Sequence, residues 1–148
     1  MIRIRAAQIE DAVAMAELRA ASIRHLCSAD HQGDPVSIAD WIGPPDKFVH
    51  LIERSDQKLI VTEVEGRLSG LGGLSGDMVT LNYVHPDFRF RGVSKAIMQK
   101  LEDMLRRDGV TTGRLTSSAT ALRFYHSIGW LDAGDFDPGN GQPMVKRL

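Results

Sequence analysis

The segment from Val93 to Arg107 constrains the fold of this chain more than any other part of its sequence. Its apolar residues recur at three- and four-residue spacing, with charged and amide side chains between them: Val93, Ile97, Leu101, Met104 and Leu105. This period predicts an amphipathic helix with one buried side, and Gly109 follows as a residue that commonly ends helices. The strand-like stretch Met78–Val84 precedes the helix by a short loop, so we expect a strand to lead directly into it.

Strand and helix patterns alternate along the rest of the chain. We predict strands at 2–5, 58–64, 68–74, 78–84, 114–117 and 143–148, with a further strand starting at Trp130. We predict helices at 9–26, 37–41, 46–54, 93–107 and 120–128, and polar loops at 28–37 and 134–141. This order is typical of an α/β protein in which helices cover a mixed β-sheet. No repeat or linker divides the sequence, so we expect a single domain over residues 1–148.

Composition argues against several functional classes. The chain has 18 Lys and Arg residues against 19 Asp and Glu, so its net charge of −1 gives no general attraction to nucleic acid or anionic membranes. The one cysteine, Cys27, cannot form an internal disulfide or a cysteine-rich zinc site. We therefore expect a cytoplasmic protein with neither a metal, a nucleic acid nor a membrane as partner.

The loop at 84–94, with the sequence VHPDFRFRGVS, carries the first candidate site. The N-terminus of a helix offers unpaired backbone N–H groups and the positive end of the helix dipole. Gly92 has no Cβ to keep a phosphate away from the backbone, and Arg89 and Arg91 add positive charge at the rim. These features predict a diphosphate-binding site, with an ordinary loop and a tight glycine turn as the alternative.

Other glycine motifs do not fit a nucleotide loop. The stretch Gly70–Ser75 has a serine where the dinucleotide-binding fingerprint needs its third glycine, and it lies among predicted strands, not at the start of a helix. The sequence Gly92–Lys95 lacks the spacing of the nucleoside triphosphate loop. The first stretch is therefore not a dinucleotide-binding fingerprint, and the second is not a nucleoside triphosphate loop.

The segment from Ser118 to Trp130 carries the second motif. Four of its residues fall on one face of a helix, at the spacing i, i+3, i+4 and i+7: Ala121, Phe124, Tyr125 and Ile128. Gly129 ends that helix. A core helix in which the Tyr125 hydroxyl finds a hydrogen-bond partner is the simplest alternative.

Together the two motifs resemble those of the GNAT superfamily of acyl-CoA-dependent N-acyltransferases. The pattern V-x-P-x-x-R-x-x-G-x-S is followed by F-Y-x-x-x-G-W, and the first strand and helix also look like the family's opening. In this family the first loop wraps the pyrophosphate of coenzyme A, and the second helix lines its pantetheine and thioester. Here Ser94 replaces the usual Gly or Ala, Ser118 the frequent Asn, and Trp130 the usual Phe.

The resemblance implies a sheet that splays between two parallel strands, predicted at 78–84 and 114–117. It implies acetyl-CoA as cofactor and transfer of its acetyl group to a primary amine of a small molecule or peptide. The Val84 N–H would be the oxyanion donor, and Tyr125 the general acid or only a positioning residue. The cofactor-binding residues implied are Asn82, Val84, Arg89, Phe90, Arg91, Gly92, Val93, Ser94, Ser118, Ala121 and Phe124. An acyl-CoA-binding sensor with little turnover is the alternative function.

The general base and the acceptor site stay open. By the two-residue period of a strand, Met78, Thr80, Asn82 and Val84 are expected to share a face that carries no carboxylate. Some family members have Glu where this sequence has Met78, so one of the five histidines, Asp77 or water is left to take the proton. Residues 26–50 are where the family builds its acceptor pocket, with these candidates here: Leu26, Cys27, His31, Trp41 and Phe48. Assembly into a homodimer is also left open.

Overall fold

The computed structural model describes residues 1–26, 42–44 and 46–148. Within these residues, seven strands form one sheet in the order β1-β2-β3-β4-β5-β7-β6. The strands are β1 (Arg3–Ala6), β2 (Lys58–Val64), β3 (Arg67–Ser75), β4 (Met78–Val84), β5 (Thr112–Ser117), β6 (Leu131–Asp132) and β7 (Gln142–Arg147). The helices are α1 (Ala12–Leu26), α2 (Lys47–Glu53), α3 (Val93–Arg107) and α4 (Leu122–Ser127), with short 3-10 turns at Ile9–Asp11 and Pro86–Phe88. None of the described helices is both long and apolar enough to cross a membrane.

The predicted element order and fold class are confirmed. β2, β4 and α3 begin and end at the predicted residues, because their apolar periods are unbroken and turn residues flank them. Helix α4 starts later than predicted, at Leu122, and the strand predicted to start at Trp130 is the two-residue β6. The predicted loop at 28–37 and helix at 37–41 lie outside the described residues.

The sheet opens between β4 and β5, its one parallel pair among the described strands. These two strands pair only at Met78 and Arg114. At this closed end the Arg114 N–H donates to the Asp77 carbonyl at 2.9 Å, and the Arg114 guanidinium donates to both Asp77 carboxylate oxygens at 2.9 Å. Past this point β4 and β5 share no further pairing, so the predicted splay is confirmed at these two strands.

Helix α3 packs directly on β3 because two glycines there have no side chains. A methyl group added at Gly72 would lie 2.6 Å from Cγ2 of Ile97. One added at Gly70 would lie 2.8 Å from side-chain atoms of both Ile97 and Val93. The glycine-rich stretch of β3 therefore serves helix packing, and it fixes the distance of α3 from the sheet.

Apolar side chains form two cores, one on each face of the sheet. The α3-side core includes Leu101, Leu115, Trp130 and Met144, all less than 4% exposed. The α1-side core is formed by residues of α1, α2, β2 and β3: Ala12, Met15, Leu18, Phe48, Leu59, Val61 and Leu71. Only the α3-side core has buried members from both β2 and β5, so it spans the splay.

An ion-pair network ties β1 to the start of α1. The Arg5 guanidinium donates to the Asp11 carboxylate at 2.7 and 2.8 Å and to Glu63 on β2 at 2.7 Å. The Gln8 N–H also donates to Asp11 at 2.8 Å. These hydrogen bonds, led by those from Arg5, lower the pKa of Asp11 below its usual value. Asp11 therefore stays ionised in the folded chain at pH values where the unfolded chain is already protonated.

We expect Gly72→Ala to lower the free energy of unfolding by about 1–3 kcal/mol, since the new methyl group forces α3 off the sheet. Urea denaturation followed by circular dichroism measures this loss. Gly139→Ala is the matched control, because Gly139 lies in an exposed loop, where a methyl group would meet only Asp137 Oδ1 at 3.4 Å. Equal stability of the two variants would show that α3 accommodates a methyl group at position 72 without strain, which would contradict the prediction.

We expect Asp11→Asn to destabilise the protein by about 1–3 kcal/mol at pH 7, because it weakens hydrogen bonds to a charged guanidinium. The folded pKa of Asp11 is lowered, so its stabilisation is full above the unfolded pKa and is lost as the pH falls through the folded pKa. Denaturation curves from pH 7 to pH 2.5 should therefore converge for wild type and variant. The control is Asp103→Asn, whose carboxylate pairs with Arg106 at the surface. A difference that stays constant with pH would contradict this assignment.

Candidate active site

A β-bulge at Thr80 decides which way the side chains of β4 point. The register between β3 and β4 shifts there, which leaves Thr80 as an extra residue in β4. Val79 and Val84 both pack against the α3-side core, although plain alternation would put them on opposite faces. The prediction of one common face for alternate residues is therefore wrong, since Met78 precedes the bulge at Thr80, whereas Asn82 and Val84 follow it.

The main chain of Asn82 and Val84 faces the gap between β4 and β5. The His85 N–H donates to the Ser69 carbonyl at 2.8 Å, which makes this pair a hydrogen-bonded position of the β3–β4 ladder. Hydrogen-bonded and non-bonded positions alternate in antiparallel sheets, so the N–H and C=O groups of Asn82 and Val84 point away from β3. This is the orientation that an extended ligand would need in order to pair there as an added strand.

The N-terminus of α3 is open. Gly92 precedes the helix with a φ of 78°, a left-handed conformation that favours glycine, and no side chain caps the helix there. A methyl group added at Gly92 would meet nothing within 4 Å. The Val93 side chain is buried, so this residue offers only its backbone N–H, while Ser94 is half-buried. The first turn of α3 thus presents N–H groups to open space.

Two arginines flank this helix start, each beside an aromatic ring. The guanidinium carbon of Arg89 lies 4.6 Å from the ring centroid of Phe90, and that of Arg91 lies 5.5 Å from Phe88. Phe90 is 91% exposed and has a φ of 64°, so it stands out from the loop. Neither arginine forms an ion pair in the described part of the chain. No carboxylate of the described residues therefore neutralises their positive charge.

The residues of the second motif lie at the start of α4. The Ser118 hydroxyl accepts a hydrogen bond from the Ala121 N–H at 3.2 Å, which organises the turn before the helix. Ala121 and Phe124 are partly buried against the α3-side core. The Phe124 ring meets the Tyr125 ring edge-on, with centroids 5.3 Å apart. The Ser118 hydroxyl thus serves the local turn, where the family has a longer amide side chain.

Asn82, Ser94 and Tyr125 form one hydrogen-bonded group that joins β4, α3 and α4. The Asn82 amide nitrogen donates to the Tyr125 phenol oxygen at 3.1 Å and to Ser94 Oγ at 2.9 Å. The Ser94 hydroxyl also lies 3.1 Å from Asn82 Oδ1, to which it can donate. Tyr125 is 7% exposed, so its phenol meets Asn82 where little water competes.

Sequence analysis missed this role of the Asn82 side chain. The signal was an asparagine inside the apolar strand MVTLNYV, because a carboxamide in such a strand needs a partner when it is buried. The partner could not be named, since the bulge at Thr80 sets the direction of the side chain.

The candidate bases next to β4 are held by other groups. His85 Nδ1 accepts the Asp87 N–H at 3.1 Å and so caps the 3-10 turn after β4. Arg67 pairs with Asp87 at 3.0 Å and lowers the pKa of that carboxyl. Arg114 likewise lowers the pKa of Asp77 through their hydrogen bonds. Both carboxylates are therefore weaker bases than an ordinary aspartate.

Most residues predicted for the acceptor pocket lie outside the described part of the chain: Cys27, His31, Trp41 and the side chain of Leu26. Phe48 is described and is 1% exposed, in the α1-side core with Met15 and Leu18. The expectation that Phe48 lines a pocket is therefore wrong, because its ring is buried in the core where α2 packs on α1.

A cleft of about 300 Å³ lies between α3 and the end of α4. At its wall, Lys146 binds Glu102 at 2.8 Å and the Ile128 carbonyl at 2.6 Å. The Trp130 indole N–H also points to Glu102, at 3.4 Å. The cleft contains none of the predicted site residues, and its Glu102 and Lys146 side chains are bound to each other, so it is distinct from the candidate active site.

A family model described as an acetyltransferase (GNAT) domain matches residues 27–146. The chain belongs to the GNAT acetyltransferase family. This confirms the resemblance carried by the two motifs. A curated acetyltransferase of Pectobacterium atrosepticum is 33% identical over an alignment of 69 residues, and the match covers 44% of this chain and 49% of that protein. The chain thus spans about half the length of the curated relative it matches.

Several solved structures have the same fold as this GNAT family member. A GCN5-related N-acetyltransferase from Rhodopseudomonas palustris has a TM-score of 0.87 at 24% identity, over 99% of this chain and 95% of that one. The PaiA N-acetyltransferase of Thermoplasma acidophilum, in complex with coenzyme A, has a TM-score of 0.86 at 21% identity, over 100% and 99%. YncA of Salmonella typhimurium, with acetyl-CoA, reaches 0.78 at 19% identity, over 99% and 94%.

Proposed function

We propose that this protein is an N-acetyltransferase that moves the acetyl group of acetyl-CoA to a primary amine of a small molecule or peptide. The amine attacks the thioester carbonyl directly in a ternary complex. The observation that carries the proposal is the arrangement at the open end of the splay. There the outward-facing main chain of Asn82 and Val84 lies beside the buried Tyr125 phenol and the uncapped start of α3.

The residues around the splay fit coenzyme A, which supplies an acetyl group activated as a thioester. The N–H groups at Gly92 and the charges of Arg89 and Arg91 suit its diphosphate. The main chain of Asn82 and Val84 suits its pantetheine arm. The remaining cofactor-binding residues of the proposal border these two regions: Phe90, Val93, Ser94, Ser118, Ala121 and Phe124. The coenzyme A and acetyl-CoA complexes of PaiA and YncA support this assignment.

Two groups of the chain act on the reacting atoms in this proposal. The Val84 N–H stabilises the negative charge that develops on the carbonyl oxygen as the C–N bond forms. The Tyr125 phenol gives a proton to the thiolate as the C–S bond breaks. Since Asp77 and Asp87 are held by arginines, we propose that the amine loses its proton to water.

Release of coenzyme A thiol from acetyl-CoA, measured with polyamines, amino acids, aminoglycosides and short peptides, tests the proposal. We expect release above background hydrolysis with at least one primary amine, and none with the N-acetylated form of that amine. Coenzyme A should also raise the melting temperature. Stabilisation by coenzyme A without release from any amine would favour the acyl-CoA sensor. The observation that keeps this alternative is that Asp77 and Asp87, the carboxylates at the two ends of β4, are held by arginines. Failure of both measurements would overturn the proposal.

We expect Gly92→Glu to abolish coenzyme A binding, because a glutamate fills and charges the open space at the start of α3. Titration calorimetry with coenzyme A measures the affinity. Gly76→Glu is the matched control, since Gly76 also has a left-handed φ and open space but lies in the β3–β4 turn. It carries the same backbone strain and charge, so binding should persist. Wild-type affinity in a folded Gly92→Glu variant would refute the diphosphate site.

We expect Tyr125→Phe to lower kcat about 100-fold, the range in which a positioned general acid contributes, while the affinity for acetyl-CoA changes little. Steady-state thiol release with the best amine of the panel measures both constants. The control is Tyr83→Phe, on the α1 face of β4, where the ring and its contact with Arg19 are kept. A kcat that Tyr125→Phe leaves unchanged would show that the phenol is not the acid.

A further inference from the structure

The amide nitrogen of Asn82 donates hydrogen bonds to both Ser94 and Tyr125, and so the Asn82 side chain bridges these two residues. This nitrogen carries two hydrogens, and the two acceptors lie 2.9 and 3.1 Å away. Both hydrogens thus have partners on different helices. The Ser94 hydroxyl also lies 3.1 Å from the carboxamide oxygen, so both polar atoms of the amide are held against Ser94.

The direction of the hydrogen bond to Tyr125 matters for its chemistry. An amide N–H can only donate, so the phenol oxygen is the acceptor in this contact. The phenol hydrogen is therefore directed away from Asn82. Aspartate at this position could only accept, so it would turn the phenol hydrogen toward β4.

Packing restrains the rest of the tyrosine. Its ring meets Phe124 edge-on at 5.3 Å and Trp130 edge-on at 6.5 Å, and the residue is 7% exposed. These contacts fix the plane of the ring but not the rotation of the hydroxyl. In a partly dry site, the hydrogen bond from Asn82 favours the orientation in which the hydroxyl hydrogen points away from Asn82.

We propose that Asn82 is a positioning residue that orients the Tyr125 hydroxyl for proton donation, with Ser94 holding the Asn82 amide in place. This inference rests on the proposed transfer reaction, in which Tyr125 is the acid. It gives the Asn82 side chain a function separate from that of its main chain, which faces the gap. Serine at position 94 then has a purpose that glycine or alanine could not serve.

The experiment is a double-mutant cycle between Asn82→Leu and Tyr125→Phe, with acetyl-CoA and the best amine of the panel. Leucine keeps the size of the side chain and removes the donor. We expect Asn82→Leu to lower kcat about tenfold, the effect of losing one hydrogen bond of this kind, with an acetyl-CoA affinity within about twofold of wild type. In the Tyr125→Phe background, Asn82→Leu should have no further effect on kcat. Asn82→Asp should lower kcat at least as much as Asn82→Leu.

A spectroscopic measurement tests the hydrogen bond without any acceptor amine. The chain has two tyrosines, so labelling their ζ carbons with 13C gives two NMR signals, and Tyr125→Phe identifies one of them. We expect the Tyr125 signal to shift in Asn82→Leu and to stay in place in Gln57→Leu. Gln57 is the matched amide control, because it lies far from Tyr125. It directly precedes Lys58 of β2, which pairs with Asp108 at the C-terminal end of α3, whereas Ser94 lies at the N-terminal end.

The outcomes separate this inference from the proposed function. If Tyr125→Phe lowers kcat but Asn82→Leu does not, the inference is overturned and the acid assignment stands. If the two losses multiply in the double variant, Asn82 acts independently of Tyr125 and the inference is overturned. If Tyr125→Phe has no effect, or no amine is acetylated, the proposed function fails and the inference fails with it. An unchanged Tyr125 signal in Asn82→Leu would contradict the hydrogen bond itself.

Discussion

The close packing of α3 on β3 is the constraint on which the rest of this structure depends. Gly70 and Gly72 let Val93 and Ile97 sit where strand side chains would otherwise be. This contact sets where α3 begins, and so it sets the distance from its first turn to the end of β4. The Asn82–Ser94 hydrogen bonds span that distance directly. A helix held farther from the sheet would move both the open N–H groups at the start of α3 and the Asn82–Ser94 hydrogen bonds.

Local sequence patterns predicted most helices and strands. The side-chain directions that they did not predict depend on contacts between elements. Helix α3 and strands β2 and β4 follow from unbroken periods of apolar residues. The bulge at Thr80 leaves no trace in the sequence, because β-branched residues are common in plain strands. Because of this bulge, Met78 and Asn82 point to opposite faces of the sheet, although the two-residue period predicts the same face. Phe48 was misassigned for a related reason, since burial against Met15 depends on how two helices meet.

The candidate site was predictable as a set of motif residues, but not as a network. Gly92 and Tyr125 stand in motifs whose spacing is visible in one sequence. The contact between Asn82 and Tyr125 joins residues 43 positions apart, so only the folded chain reveals it. Two departures from the family pattern are each matched by a polar partner: Ser94 by Asn82, and the Trp130 indole by Glu102. Such compensation is expected where a polar atom replaces an apolar one in a packed interior.

The splay also has a mechanical consequence for the sheet. With one backbone pairing between β4 and β5, the four strands on one side and the three on the other have almost no ladder in common. The α1-side core has no buried member on β5, β6 or β7. Cohesion between the two halves therefore passes through the side chains of the α3-side core, from Ile60 on β2 through Leu101 to Leu115 and Met144. The gap can stay open for a ligand because apolar contacts under α3 take the place of the missing hydrogen-bond ladder.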